Sequence, residues 1–449
     1  MREMHLVAYL FAGPTNHHHG MWRHPASEVN LFRPELYQKI GQILEQGKFD
    51  MMFFPDVLTV YGGYKDGFEV NVKYGGQGSM SLDPVAVLTM VAAATKNLGL
   101  GVTLSTTFYE PYYVARTLAT LDHLTNGRVA WNVVTSSTNL EAQNFGLDKI
   151  IDRSRRYERA DEFLETCMEL WDSWEEDAII LDKENGIFAD PSKVQYIDHA
   201  GEWFQVKGPL TLPRGPQGYP VIMQAGSSEQ GRDYAARRGE VIFTLQNSHK
   251  EMKIFYNDIK SRMAKYNRSP DDCAILPAIQ AIVGETESLA KEKAEYLYDL
   301  VHPTVGLATM SSHTGLDLSQ YSQNEPLKNV NVEQGSRGSF DVILQGTSNE
   351  GLTLKEAAKR FATSELTPQF IGTPTQIADQ MEAMFCDEAC DGFILTPSIL
   401  PGTFEDFVRT VVPELQKRGI FRKEYTGTTL RDRLGLQKPA VKRSSSIYS

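Results

Sequence analysis

The chain has 449 residues, of which 41% are hydrophobic, and it carries a formal net charge of −12 at pH 7. Because no basic block interrupts this acidic balance, we expect no nucleic-acid or anionic-membrane surface, and four scattered cysteines are too few for a disulfide framework. Neither the apolar core of a signal peptide nor an apolar run long enough to cross a bilayer is present, so we expect a cytoplasmic protein that acts on small molecules.

Short apolar or β-branched runs alternate along the chain with longer segments of helical period. The runs are His5–Phe11, Phe49–Asp56, Leu98–Thr107, Arg128–Ser136, Pro220–Gly226, Glu240–Leu245, Ala274–Val283 and Asp391–Pro397. Strands that are apolar on both faces are typical of a buried parallel sheet, and regular alternation with helices favours one closed barrel over separate domains. The sequence therefore predicts an α/β protein, a single (β/α)8 TIM barrel over residues 1–435, with a flexible tail at 436–449.

Three stretches between the predicted elements are longer than ordinary loops. They are Val57–Leu82, Asn139–Tyr219 and Val301–Pro368. The first two leave the C-terminal end of a strand, which is the face where barrel enzymes hold their active sites. The third follows a helix and could fold back over the same face. We expect these insertions to form the walls and lid of an active site.

Polar residues stand at the predicted ends of three strands. Asp56 follows the second strand, Thr106 closes the third, and Asn132 interrupts an otherwise apolar fourth strand that ends at Ser136. A buried amide without partners costs roughly 1–3 kcal/mol, so Asn132 should have a designated partner. A planar polar ring that offers both donors and acceptors would suit it, and a hydrogen bond to the adjacent strand is the alternative. Asp56 could equally be a helix N-cap or a loop brace.

The turn after the fifth strand has the composition of an anion site. It reads Gln224-Ala225-Gly226-Ser227-Ser228 and leads into a helix, so its hydroxyls and the free N–H groups of the helix N-terminus could bind a phosphate. Arg153, Arg156 and Tyr157, before the fourth helix, could add charge to the same site. Ser227 could instead be a plain N-cap, because the turn is neither a Walker loop nor a dinucleotide fingerprint.

Histidines cluster after the first strand. His17 and His19 could share one face of an extended segment while His18 points away, and His24 and His313 are further candidates. The sequence shows no further ligands at matching depth, so we predict no metal site. Imidazoles that bind a substrate or handle protons fit better, and a metal-dependent barrel hydrolase remains the alternative of a different class.

In this order along the chain, the motifs resemble the luciferase-like flavin monooxygenases, in the branch that contains nitrilotriacetate monooxygenase and dibenzothiophene-sulfone monooxygenase. The motifs are Phe53-Phe54-Pro55-Asp56, Ser105–Thr107, Arg128–Ser136, Arg156-Tyr157, Gln224–Ser228 and Pro401–Thr403. The resemblance extends to about residue 435. It implies an enzyme that uses O2 and FMNH2 from a separate NAD(P)H:flavin reductase, so that NAD(P)H acts only indirectly. It also implies a homodimer or homotetramer.

Positions matched to the family give a candidate site. The resemblance implies that FMN contacts Asp56, Thr106, Asn132, Ser136, Arg153, Tyr157, Ala225, Gly226, Ser227 and Ser228. It implies that Phe11, His19, Phe54 and Phe243 border the substrate and that His17 and His313 are catalytic, handling protons.

The substrate implied by the resemblance is an aryl sulfone such as dibenzothiophene sulfone, with cleavage of a carbon–sulfur bond, a desulfurization step. An aminopolycarboxylate, an amine or a long-chain alkane is the alternative substrate. A flavin-binding protein without turnover is a further alternative.

Overall fold

Eight parallel strands close into a barrel in the computed structural model, which describes residues 2–326, 351–365 and 367–441. The strands are β1 (His5–Tyr9), β2 (Met51–Phe54), β3 (Gly99–Ser105), β4 (Val129–Val134), β5 (Val221–Gln224), β6 (Val241–Thr244), β7 (Ala274–Val283) and β8 (Gly392–Leu395). Each strand pairs in parallel with the next, and β8 pairs with β1 to close the ring. The predicted (β/α)8 TIM barrel is confirmed.

An outer layer of helices covers the barrel. The helices between strands are Pro34–Gln46, Pro84–Ala94, Pro111–Leu124, Arg153–Trp171, Glu229–Arg238, His249–Met263, Glu287–Leu300 and Pro374–Cys386. After β8 the chain forms Gly402–Asp406, a π-helical turn at Phe407–Val411, and Val412–Lys417. Several helices begin with proline, whose missing N–H is not needed in the first turn. The fourth of the helices between strands begins at Arg153, before the predicted Tyr157.

Side chains alternate between the helix layer and the barrel interior along each strand. On β4, Trp131 and Val133 pack in the cluster beneath the helices, whereas Ala130 belongs to the cluster inside the barrel. Asn132 lies between the two outward residues and therefore faces inward. This register places its amide in the barrel interior, toward the C-terminal end of β4.

The three insertions carry structure of their own. The first contains the helix Glu69–Tyr74, and the second contains the helix Asn139–Asn144 and two small antiparallel hairpins, Ile179–Asp182 with Ile187–Ala189 and His199–Ala200 with Gln205–Val206. The third contains the helices Pro303–Thr314 and Leu354–Ser364 and a strand, Gln369–Gly372. That strand pairs in parallel with the second half of β7 and was not predicted. Residues 327–350 of this insertion lie outside the described residues.

The last part of the described chain closes the N-terminal end of the barrel. After the short helix Leu430–Arg433, the side chains of Leu434 and Leu436 join Leu430 in the interior cluster. The ammonium of Lys438 then pairs with Glu176 at 2.7 Å. Residues 442–449 of the predicted flexible tail lie outside the described residues. No helix in the part of the chain that the structure describes is long and apolar enough to cross a membrane.

Candidate active site

A cleft of about 250 Å³ opens beside the ends of β4 and β5. It is lined by most of the residues predicted to bind the cofactor, namely Ser136, Arg153, Tyr157, Ala225, Gly226, Ser227 and Ser228. Arg156, Gln224 and Tyr234 also line it. The structure therefore brings together the serine-rich turn and the arginines that lie about 70 residues earlier in the chain.

The turn is shaped to bring backbone close to a ligand. Ser228, rather than Ser227, is the N-cap of the helix Glu229–Arg238, because its hydroxyl oxygen accepts a hydrogen bond from the Gly231 N–H at 3.1 Å. The hydroxyl of Tyr157 is hydrogen-bonded to the Ser228 side chain. A Cβ atom at Gly226 would lie 2.7 Å from the Cα of Gly231, so only glycine fits there. Serine hydroxyls, free N–H groups of the first helical turn and two arginines suit a phosphate.

One atom of the Asn132 amide is hydrogen-bonded, and the other has no hydrogen-bond partner among the described residues. Its Nδ2 donates to the Thr103 hydroxyl at 3.0 Å, and that hydroxyl donates to the Phe54 carbonyl at 2.8 Å. Its Oδ1 is buried and has no hydrogen-bond partner among the described residues. Since an unsatisfied buried acceptor costs about 1–3 kcal/mol, this oxygen is suited to a donor from a bound ligand. The residues present therefore fit a planar ring that carries N–H groups, with its phosphate in the cleft.

The other two predicted cofactor residues lie at the ends of β2 and β3, outside the lining of the cleft. The Asp56 carboxylate accepts a hydrogen bond from the Val57 N–H at 2.9 Å. Burial raises the pKa of Asp56 to about 7, with repulsion from Asp83 and Glu141 acting in the same direction. Thr106 is buried, and its hydroxyl donates to the Val134 carbonyl at 3.1 Å.

The histidines meet the third insertion above the barrel mouth. His17 Nδ1 lies 2.8 Å from the Thr367 hydroxyl, and His19 Nε2 lies 2.9 Å from Glu365 Oε1. The His313 ring stands edge-on to Tyr61, with ring centroids 5.4 Å apart. As predicted from the alternation, His18 points elsewhere, toward the Leu297 carbonyl at 3.1 Å.

Glu365 is a site residue that the sequence pattern did not reveal. It directly follows the helix Leu354–Ser364, and its carboxylate also lies 3.7 Å from His17 Nε2. Burial raises the pKa of Glu365 and lowers the pKa values of His17 and His313, while attraction between the carboxylate and these imidazoles opposes each shift. Burial lowers the pKa of His19 to about 3.

Aromatic side chains cluster in the barrel interior. Phe11 and Phe243 belong with Tyr9 and Phe53 to the interior cluster, and the rings of Tyr9 and Phe243 stack with centroids 6.1 Å apart. Phe54 instead faces outward and packs against the Tyr37 ring at 6.2 Å. The prediction that Phe54 borders the substrate therefore has no support in the structure, because neighbouring strand residues alternate and Phe53 takes the inner position.

No group of three or more His, Cys, Asp or Glu side chains in the described ranges is arranged to hold a metal ion. His24, which the alternative hydrolase would require, lies edge-on to the Tyr296 ring at 5.6 Å. The hydrolase interpretation thus lacks a ligand set within this part of the chain.

These features are those of a barrel enzyme with a cleft suited to a planar, phosphate-bearing cofactor and a cluster of aromatic side chains in the barrel interior. Residues 12–387 match the family model described as luciferase-like monooxygenase. The chain belongs to this family and is a flavin-dependent monooxygenase.

Individual relatives are similar over nearly the whole chain. The chain is 46% identical over 449 residues to dibenzothiophene-sulfone monooxygenase of Rhodococcus erythropolis (strain XP), with 99% of both chains covered. The crystal structure of DmoA from Hyphomicrobium sulfonivorans superposes with a TM-score of 0.90 at 34% identity, covering 96% of this chain and 92% of that one. The structure of riboflavin lyase (RcaE) with modified FMN and riboflavin superposes with a TM-score of 0.87 at 32% identity, covering 97% and 96%.

Proposed function

We propose that the protein is the oxygenase of a two-component system, which uses O2 and FMNH2 from a separate NAD(P)H:flavin reductase to cleave a carbon–sulfur bond of an aryl sulfone such as dibenzothiophene sulfone. The observation that carries the cofactor assignment is the buried Oδ1 of Asn132, which has no hydrogen-bond partner within the described part of the chain and adjoins Val133 of the cleft lined by serines and arginines. The 46% identity to a dibenzothiophene-sulfone monooxygenase supports the substrate.

Two parts of the site would hold FMN. The phosphate would be bound by Ser227, Ser228, Arg153 and Tyr157. The flavin ring would be bound by Asn132. Of the remaining predicted residues, Ser136, Ala225 and Gly226 line the cleft and would surround the phosphate. Asp56 and Thr106, at the ends of β2 and β3, would contact the flavin from outside the cleft. Reduced flavin, when bound, supplies the electrons that activate O2. The aromatic side chains Tyr9, Phe53 and Phe243 would keep water away from the reacting atoms, and His17 and His313 would hold or transfer a proton next to the substrate.

The electrostatics of the barrel mouth disfavour an anionic substrate. The carboxylates of Glu365, Glu141 and Asp56 all act on the Tyr61 hydroxyl and raise its pKa, in addition to burial. An aminopolycarboxylate would place further negative charges in this acidic and poorly solvated region, where repulsion is strong. A neutral aromatic molecule meets no such penalty.

Polar groups of the pocket favour a sulfone over an alkane. His313 Nε2 is buried without a hydrogen-bond partner among the described residues, and the Tyr9 hydroxyl faces Gln77 at 3.2 Å. A sulfone oxygen can accept a hydrogen bond from an imidazole N–H, whereas an alkane would leave His313 Nε2 unpaired at a cost of about 1–3 kcal/mol. The Tyr9 hydroxyl, which accepts its hydrogen bond from the Gln77 amide, could donate its own proton to a second sulfone oxygen.

The test is an aerobic assay with FMN, NADH and a generic flavin reductase. Dibenzothiophene sulfone, nitrilotriacetate and hexadecane are supplied separately, with catalase present to remove hydrogen peroxide. We expect consumption of the sulfone alone, and only when reductase, FMN and O2 are all present. Consumption of nitrilotriacetate with the sulfone untouched would overturn the substrate, and product formed without reductase would overturn the two-component assignment.

We also propose that the protein forms a homodimer or homotetramer. The hairpin Ile179–Asp182 with Ile187–Ala189 exposes large apolar side chains, with Leu181 60% and Phe188 64% exposed. Exposed apolar groups of this kind commonly mark a protein interface. A monomeric mass in light scattering at micromolar concentration would contradict this proposal.

A further inference from the structure

The Glu365 carboxylate lies in a cluster of buried polar side chains above the barrel mouth, with His17, His19 and Gln77 around it. One oxygen lies 2.9 Å from His19 Nε2 and the other 3.7 Å from His17 Nε2. The Gln77 side chain is hydrogen-bonded to the same carboxylate. The other nitrogen of His17 lies 2.8 Å from the Thr367 hydroxyl, so that both nitrogens of this ring face a partner on the third insertion.

We propose that Glu365 is a positioning residue, whose carboxylate orients the His17 ring and keeps a proton available to it. His17 is the residue to which the proposed function assigns proton handling, and the inference rests on that function. In this arrangement the His17 imidazole contacts the substrate, and Glu365 acts on the substrate only through His17.

The conformation of Glu365 is costly for a purely structural residue. Its φ angle is 46°, in the left-handed region, at the C-cap of the helix Leu354–Ser364, where glycine or asparagine is preferred. Only 5% of its surface is exposed, and burying a carboxylate is unfavourable unless other groups compensate its charge. A strained, buried acid at this position is therefore better explained by what it does for the site.

Imidazoles are the basic groups that face this carboxylate. The titratable groups around it are His17, His19, His313, Tyr9 and Tyr61. Burial raises the pKa of Glu365 and lowers the pKa of His17, and the attraction between them opposes both shifts. A proton in this cluster is consequently shared between the carboxylate and the imidazoles.

The Glu365→Gln substitution tests the negative charge of the side chain, because glutamine has nearly the same shape as glutamate but no charge. The Glu365→Gln variant retains an acceptor for His19 but removes the negative charge, so the pKa of His17 should fall and the pH profile of product formation should move to lower pH. Glu365→Asp keeps the charge on a shorter side chain and should restore part of the profile. Glu356→Gln is the matched control, because this exposed acid lies on the same helix and glutamine can replace it in the capping box.

Two measurements test the proposal. The first is an NMR titration of the His17 ring in the ligand-free, 15N-histidine-labelled protein, with His17→Gln used to assign the signal. The second is the yield of sulfone product per NADH consumed across pH. For Glu365→Gln we expect a lower His17 pKa and a product yield reduced up to about a hundredfold, because a misplaced group has effects of that size.

An unchanged His17 titration and pH profile in Glu365→Gln, accompanied only by a lower melting temperature, would show a structural role and overturn the proposal. A change of equal size in Glu356→Gln would overturn it as well. The NMR titration needs neither cofactor nor substrate. If the wild-type enzyme leaves every sulfone untouched, the proposed function fails while the effect of Glu365 on His17 is still measured.

Discussion

At the scale of single residues, Asn132 is expected to contribute to FMN binding and not to the stability of the fold. Asn132→Leu removes the unsatisfied Oδ1, so we expect FMN binding to weaken by about tenfold or more while the free energy of unfolding changes by less than about 1 kcal/mol. Thr103→Val removes the structural partner instead and should lower the free energy of unfolding by about 1–2 kcal/mol. Flavin titration and chemical denaturation measure both effects. A destabilised Asn132→Leu protein with unchanged FMN affinity would contradict the assignment.

Asp56 should make stability depend on pH. Its pKa rises from the ordinary value of 3.8 to about 7 on folding, so the folded state holds this proton more tightly, and stability is lost as pH rises through that interval. Asp56→Asn should therefore be more stable than the wild type at pH 8, by about 1–2 kcal/mol, and the difference should be smaller at pH 5. Denaturant unfolding at the two pH values measures it. An equal difference at both pH values would refute titration of the buried carboxyl as the cause.

At the scale of elements, the lid depends on the close approach of two helices. A Cβ atom at Gly306, on the helix Pro303–Thr314, would lie 2.0 Å from the Ala358 carbonyl on the helix Leu354–Ser364. Gly306→Ala should push these helices apart, displace His313 and Glu365, and lower sulfone turnover by about tenfold or more. Gly402→Ala is the control, because its Cβ meets only the Ile399 side chain at 3.2 Å.

FMN binding provides the second measurement for Gly306→Ala. The cleft is lined by residues that follow β4 and β5 and by the helix Arg153–Trp171, none of which belongs to the lid. Affinity for FMN should therefore remain within about twofold of the wild type, whereas turnover falls. Equal losses of affinity and turnover would mean that the two parts of the site are not independent.

The elements also show which parts of the site could be predicted from the sequence and which could not. The turn Gln224–Ser228 could be predicted because a phosphate site at a helix N-terminus is local in sequence. Phe54 was misplaced because β2 is apolar on both faces, and a pattern without polar alternation does not determine which residues point inward. Glu365 was missed because His19, with which it makes its shortest contact, is 346 residues away, and an acid after a helix is ordinary in any sequence.

For the whole molecule, ring closure depends on a buried ion pair at the end of the barrel opposite the active site. Asp50 accepts a hydrogen bond from the Leu6 N–H at 2.8 Å and pairs with Arg422 Nη1 at 2.7 Å, which joins both ends of the chain to β2. Asp50→Asn leaves Arg422 paired only with Glu3, an exposed carboxylate 2.8 Å from Arg422 Nε, so we expect a loss of about 3 kcal/mol in the free energy of unfolding at neutral pH.

Lowering the pH should remove the contribution of the Asp50–Arg422 ion pair to the free energy of unfolding of the wild type. Burial acts to raise the pKa of Asp50, but Arg422 and His5 outweigh it and hold the pKa below the ordinary value of 3.8. The stabilisation is thus present above that value and is lost as pH falls through the lowered pKa. The difference between wild type and Asp50→Asn should be constant from pH 5 to 8 and shrink below pH 4. Unfolding curves across this range provide the check.

The barrel as a whole was predictable because eight apolar runs and their helices repeat along the chain, and each repeat is a local pattern. The strand Gln369–Gly372 was not, because it is four residues long and exists only through its pairing with β7. A helix propensity or hydrophobic period cannot reveal an element whose stability comes from a distant partner.

That added strand has a consequence for how relatives of this protein can diverge. Its register on β7, with Gln369 opposite Gln280 and Gly372 opposite Val283, fixes the position of the chain a few residues after Glu365. The helix Leu354–Ser364 fixes it just before, through its contact with Gly306. Relatives that keep both the glycine at this helix contact and this strand register should therefore hold an acid at the same place in the fold.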